Sequence, residues 1–344
     1  MFNNLIGNDS VKESLRRLAG KGRVPNALLF AGPEGIGKKL FALELAKYFI
    51  CGSKMNDEAC GQCVNCKRAD VFNLPKSEKG EDYERVFFSE HPDIGLVIPY
   101  KNNVRVDAIR DLEKEAYFRP YEAKARFFII DDAHKMKDSA ANALLKTLEE
   151  PAPTSHIILI TSRPDSLLQT IRSRCQMIRF ASVAAGEIEK LLLDSGRFSP
   201  DTAALSARVS SGSVGRAMNL DVEWFRATRE SMLAVLRSAL MTGNISMMLQ
   251  ASEQMNDAKN KERFEETLGI LQTLVRDMFT LKAGAEVSQI VNADKAIELN
   301  KFADNADINS LAQWTAEIEE LLASLNVNVN RKIATDNLFV TMAA

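Results

Sequence analysis

The stretch NALLFAGPEGIGKKLFALELAKYF, residues 26–49, runs an apolar strand-like segment into a glycine-rich loop and then into a helical pattern. That order limits the fold more than any other feature of the chain. A buried strand that turns at once into a helix calls for a parallel sheet with helices on its faces. Gly32, Gly35 and Gly37 let backbone N–H groups curl around phosphate oxygens, and the helix N-terminus adds its partial positive charge. Lys38 would reach the outer phosphates. One position breaks the pattern, because Lys39 stands where the motif carries a Ser or Thr hydroxyl for Mg2+. Such a site is expected to be a vestigial nucleotide site, poor at hydrolysis and weakened toward ATP with Mg2+.

Four more apolar runs, residues 94–98, 127–130, 157–161 and 177–180, alternate with helical patterns and complete an α/β reading. In SAANALLKTLEEP, Ala141, Leu144, Leu145 and Leu148 share one helical face. Asp138 or Ser139 is expected to cap that helix, and Pro151 and Pro153 to end it. Residues 70–92 read as a polar surface insertion with some mobility. Beyond residue 180 the strand signal stops. A short helical unit follows, then a longer one in which Trp224 and Trp314 are expected core anchors.

FFIIDDAH, residues 127–134, ends a strand on two carboxylates. Asp131 is placed to hold the Mg2+ of a bound nucleotide. Asp132 takes the position where related ATPases carry a Glu that polarises water, and it is one methylene shorter, a displacement to which catalysis is sensitive. Thr161 and Ser162, at the end of the next strand, offer a polar group to sense a γ-phosphate.

Cys51, Cys60, Cys63 and Cys66 are spaced C-x8-C-x2-C-x2-C. Four thiolates at such spacing suit tetrahedral Zn2+ in a closed, structural site. The bacterial iron–sulfur pattern would need a further Cys-Pro, and Lys67-Arg68-Ala69-Asp70 follows instead. Cys175 stands apart and reads as a small buried residue.

A net charge of −2 gives no global field for nucleic acid. With no long apolar run, neither a signal peptide nor a membrane span is expected, and the chain reads as cytoplasmic, where thiols stay reduced. Arg174, in Ser-Arg-Cys, and Arg216, in Gly-Arg-Ala, have the rigid donor fork suited to a γ-phosphate, although surface ion pairs would account for either from composition alone.

In order, NALLFAGPEGIGKK, the cysteine module, HPDIGLVIP, VDAIRDL, SAANALLKTLEEP, SRPDSLLQTIRSRCQMIRF and GSVGRAMNL resemble the AAA+ clamp-loader family of bacterial DNA polymerase III. LQTLVRDMFTLKAG and LNVNVNRKIATDNLF are similar to that family's oligomerising helices, so the resemblance covers nearly the whole chain. It implies an α/β AAA+ domain with a RecA-like parallel sheet and zinc module (residues 1–181), a small helical lid (182–221) and an all-α collar (222–344). It also implies a place in a hetero-pentamer with gamma/tau-type motor subunits and delta, which loads a sliding clamp onto primed DNA during replication. In that family the arginine matching Arg174 acts in trans, completing the ATP site of the adjacent motor subunit, and the one matching Arg216 faces a nucleotide held by its own chain. Lys39 and Asp132 depart from the motor pattern while Arg174 is kept, which implies a stator with little or no ATPase activity of its own. A motor ATPase subunit of the same loader would carry Gly-Lys-Thr and a Glu after Asp131, and an autonomous AAA+ ATPase would need a complete site. A zinc-dependent DNA-binding module would need more cations than Lys67 and Arg68.

Overall fold

A computed structural model describes residues 2, 4–22, 24–55, 58–325 and 329–343; residues 326–328, inside the stretch LNVNVNRKIATDNLF, lie outside the described residues. The chain divides into two compact units, Met1–Met218 and Asn219–Ala344.

The first unit is built on a six-stranded sheet. Its strands are β1 (Ala27–Ala31), β2 (Phe87–Phe88), β3 (Ile94–Val97), β4 (Arg126–Ile130), β5 (Ser155–Thr161) and β6 (Gln176–Arg179), in spatial order β2-β3-β4-β5-β1-β6. All pairs are parallel except β2 with β3. The five strands expected from sequence are present with ends shifted by a residue or two. β1, β3, β4 and β5 are buried on both faces, which is why they read as continuous apolar runs. Alternate residues feed two separate cores. Leu28, Phe30, Phe127 and Ile129 pack against the helices Asp9–Gly20 and Lys38–Ile50, whereas Leu29, Phe128 and Ile130 pack against Val106–Ala116 and Asp138–Glu149.

Two local features differ from expectation. The helix Asp138–Glu149 begins with Lys137 at its N-cap and makes no side-chain capping bond; Asp138 is already helical and serves as first-turn negative charge. The segment 70–92 is not simply a surface loop, because Phe87 and Phe88 add the antiparallel edge strand, Val86 is buried, and Ser89 and His91 are buried behind them. Gly95 on β3 permits this close approach, since a Cβ there would lie 2.5 Å from Val86 Cγ1.

A small helical group, Ala185–Asp194, Pro200–Val209 and Val214–Asn219, closes the first unit around Ile188, Leu192, Ala203, Ala207 and Ala217. The second unit is helical throughout its described residues, with Phe264–Lys282 and Ile308–Ser324 among its long members. Trp314 is buried there as expected, but Trp224 is only half-buried and lies beneath the Arg263 guanidinium at 4.6 Å. Its polar centre is a buried network: Arg229 forks onto Asp294 at 2.9 and 2.6 Å, and Asp277 accepts from the backbone and side chain of Asn292. No helix among the described residues is long and apolar enough to cross a membrane.

Candidate functional site

The phosphate loop leaves the C-terminal end of β1, which lies between β5 and the edge strand β6, and feeds the helix Lys38–Ile50. β5 lies beside β1 and β4 beyond it, so their C-terminal ends bring Thr161 and Asp131 to the same crevice, where ligands of open α/β sheets bind. The backbone is the one the loop requires: Gly35 and Gly37 have φ of 72° and 92°, which only glycine adopts freely.

The side chains, however, satisfy one another. Lys38 is buried, and its Nζ donates to the loop carbonyls of Gly32 and Pro33 at 2.8 and 2.5 Å. Burial pushes its ammonium below the usual lysine range, and Asp131, Asp132 and Glu34 pull it part of the way back. Lys39 Nζ reaches across to Asp131 Oδ2 at 2.8 Å. Asp132, in a left-handed backbone conformation with φ 47°, accepts from Lys135 Nζ at 2.8 Å. Thr161 is fully buried; its Oγ1 accepts the Arg163 backbone N–H at 3.0 Å and sits 3.3 Å from His134 Nδ1. Mg2+ therefore fits poorly. The hydroxyl ligand is missing, and both carboxylates already hold an ammonium.

The small helical group reaches into the same loop. Gly215 N–H donates to the Gly35 carbonyl at 2.8 Å, and a Cβ on Gly35 would lie 2.2 Å from Ser213 Oγ. Arg216 follows directly; its backbone N–H donates to Ser213 Oγ at 3.3 Å and its side chain is exposed. The expected nucleotide residues Gly32, Gly35, Gly37, Lys38, Lys39, Asp131, Asp132, Thr161 and Arg216 are thus gathered at one crevice.

Arg174 belongs to a different surface. It ends the helix Gln169–Arg174 just before β6, donates to the Thr170 carbonyl at 3.0 Å and pairs with Glu149 Oε1 at 2.7 Å. Sequence reasoning missed Glu149 and Ser213, which come from separate elements and which no local pattern marks, and Lys135, which lies three residues from Asp132 on the same turn. Cys175 is half-buried against the second core, and burial pushes its thiol up to about 12.

The four remaining cysteines converge. Cys51 closes the phosphate-loop helix, Cys63 and Cys66 bracket the start of the helix Val64–Ala69, and the four sulfurs lie within 4.8 Å of one another. Cys51 Sγ is 3.6 Å from Cys60 Sγ and 4.0 Å from Cys63 Sγ, bracketing the ~3.8 Å edge of a tetrahedron with ~2.3 Å metal–sulfur bonds. Backbone N–H groups of Cys60 and Cys63 point at the sulfurs of Cys51 and Cys60 at 3.4 and 3.3 Å. The amides of Gln62 and Cys63 draw the Cys60 thiol down to about 6, while burial pushes Cys66 up. The donor set fits a metal ion. Around it, Lys47 on the phosphate-loop helix bridges Glu44 and Asp70 at 2.8 and 2.7 Å, tying the module to that helix.

Comparison with known proteins gives the same account on both units. The family described as DNA polymerase III, delta subunit, matches residues 7–184, and DNA polymerase III, delta subunit, C terminal, matches residues 225–341. The chain is 30% identical to DNA polymerase III subunit delta' of Bacillus subtilis, over 90% of this chain and 88% of that one. It is 27% identical to the Escherichia coli subunit of the same name, over 93% and 89%. With the tau subunit of B. subtilis it shares 28% identity over 79% of this chain but only 46% of that protein. The α/β arrangement on a largely parallel sheet, the converged cysteines and these matches across both units agree, and the chain belongs to the delta-prime branch of the DNA polymerase III delta-subunit family.

Proposed function

We propose that this chain is the non-motor subunit of a clamp loader, assembling with gamma/tau-type motor subunits and delta to place a sliding clamp on primed DNA. In that role its own nucleotide site is a structural joint, and Arg174 serves a triphosphate held by the neighbouring motor subunit. The observation that carries this reading is the Lys39–Asp131 ion pair, which puts a lysine of the chain where a motor subunit would hold a metal ion. Lys38 spends its donors on loop carbonyls, and Gly215 ties the small helical group to Gly35, so the crevice is internally satisfied.

Cys51, Cys60, Cys63 and Cys66 would hold a structural Zn2+ with no open position, and the metal's contribution there is to fold a segment poor in apolar residues. Chemistry that advances the loader's cycle falls to Arg174, whose planar fork can stabilise charge developing on a γ-phosphate. The test is steady-state hydrolysis by the purified chain, alone and with clamp and primed DNA, alongside native mass measurement with the motor and delta subunits. Negligible turnover together with a defined hetero-pentamer is expected. Brisk turnover by the isolated chain, or assembly only with copies of itself, would overturn the reading.

A further inference from the structure

In the first unit β6 ends the sheet, pairing with β1 on one side and with no strand on the other. The Phe180 N–H donates to the Ala31 carbonyl at 2.7 Å, so by the alternation of a parallel ladder Ile178 and Gln176 also face β1. Met177 and Arg179 therefore turn their backbone N–H and C=O groups to the open side. Such an edge is a template for a further strand. Its open side is a groove rather than bare surface. The helix Asp9–Gly20 overhangs it, with Val11 and Leu15 packed in the same core as Ile178, and helix and strand enclose about 450 Å3. Ser10, Ser14, Arg17 and Lys21 form one wall, at the spacing that places them on one helical face.

Charge and hydrogen bonding select the occupant. Among the described residues no carboxylate lines the groove. Asp9 and Glu13 on the same helix are committed to Lys12 at 2.8 Å and Arg17 at 3.3 Å, whereas Lys21 and Arg179 are exposed and have no ion-pair partner among the described residues. A second copy of this chain, edge to edge, would set Arg17, Lys21 and Arg179 against themselves, a like-charge contact that disfavours it. The edge also offers donors and acceptors in alternation. Another polypeptide backbone matches them, but a nucleic acid strand brings phosphate acceptors and leaves the edge carbonyls unpaired. We infer that the β6 edge is the docking site of an extended acidic segment of a partner protein, which joins the sheet as an added strand. Its carboxylates on the helix side meet Arg17 and Lys21. Those on the other side meet Arg179, whose side chain follows Met177 to the opposite face of the sheet from Ile178.

This docking site does not depend on the roles of Arg174 or Lys39, and its test needs no loader. Fluorescence anisotropy of a short, labelled, end-capped peptide of alternating Glu and Val is titrated with the purified full chain at several salt concentrations. Binding that weakens as salt rises is expected. The Arg17→Gln/Lys21→Gln variant should bind about fivefold more weakly, the scale of two exposed ion pairs. Both side chains are exposed, so this variant should melt at the parent temperature. The same peptide N-methylated at every residue keeps its charge but has no backbone donors, and it should not bind. Equal binding of the methylated peptide would mark a plain cationic surface and overturn the inference. Absence of binding by the unmethylated peptide overturns it as well, as does unchanged affinity in the double variant. An oligo(dT) strand of equal charge that binds as tightly as the peptide would also overturn it.

Discussion

Lys39 Nζ lies 2.8 Å from Asp131 Oδ2, joining the first turn of the phosphate-loop helix to the end of β4. A motor subunit reaches the same carboxylate with a hydroxyl and a metal ion, so one ammonium here replaces two groups. Because these side chains are 44% and 21% exposed, the pair itself contributes under about 1 kcal/mol of stability. Lys39→Thr should therefore fold normally while freeing Asp131 and restoring the missing hydroxyl. The expected outcome is a rise in melting temperature with ATP and Mg2+ that EDTA abolishes and the parent does not show. A variant as indifferent to Mg2+ and ATP as the parent would place the block elsewhere, at the Gly215–Gly35 hydrogen bond.

The cysteine module makes a prediction about both composition and stability. Metal analysis should find one zinc per chain, and Cys60→Ser or Cys66→Ser should lose it. Since binding free energy at such sites is folding free energy, the loss should cost several kcal/mol locally. Hydrogen exchange in the variants should speed up through residues 58–70 and at the end of the helix Lys38–Ile50, which Lys47 couples to the module through Asp70. Iron in place of zinc, or unchanged exchange in the metal-free chain, would count against the assignment.

Legibility in the sequence tracks the range of the interactions. β1, β4 and β5 are legible because strands buried on both faces have no polar positions to confuse the pattern. The cysteine cluster is legible because three of its four ligands are close in sequence. β2 is not, since Phe87 and Phe88 sit in polar surroundings and become a strand only by pairing with Leu96 and Gly95. Trp224 departs from the expected core because Arg263 covers it with charge rather than apolar packing, a contact from a distant part of the chain. At the crevice beside the glycine-rich loop the residue types point to phosphate, but the long-range pairing of Lys39 with Asp131 leaves no trace in the pattern. Glu149 beside Arg174 and Ser213 beside Gly35 are products of tertiary approach alone.

Stability should fall on the acid side through the histidines. Burial lowers the pKa of His91, His134 and His156 below 6.5, and neighbouring carboxylates only partly offset this for the first two. As pH drops through 6.5 the unfolded chain takes up protons that the folded chain refuses, so stability is lost there; above 6.5 both states are neutral and the effect vanishes. Each histidine can contribute a slope of at most about 1.4 kcal/mol per pH unit. Melting temperature should be flat from about pH 7 to 8 and decline toward pH 5. The His91→Asn/His156→Asn variant should show a shallower acid limb. If its limb matches the parent's, protonation of paired carboxylates is responsible instead.

Arg174 is held by Glu149 on the surface of the chain, at 2.7 Å, with the Arg174 side chain 36% exposed. A surface pair of this kind is worth little, so exchanging Glu149 for a neighbour's triphosphate costs almost nothing. In the proposed trans role, Glu149 would be a holder that keeps the guanidinium extended rather than a lock. Arg174→Ala should leave the hetero-pentamer intact and slow ATP hydrolysis by the assembled loader on the order of 10³-fold at the affected site, the scale at which trans arginines act. Arg174→Lys should recover little, because a point charge does not reproduce the planar fork. Glu149→Gln should leave hydrolysis within about twofold of the parent, given how little an exposed pair contributes. Measuring assembly by native mass and hydrolysis in the same preparations separates the roles: a loader that assembles with Arg174→Ala and hydrolyses ATP at the parent rate would show that Arg174 is only a surface ion pair.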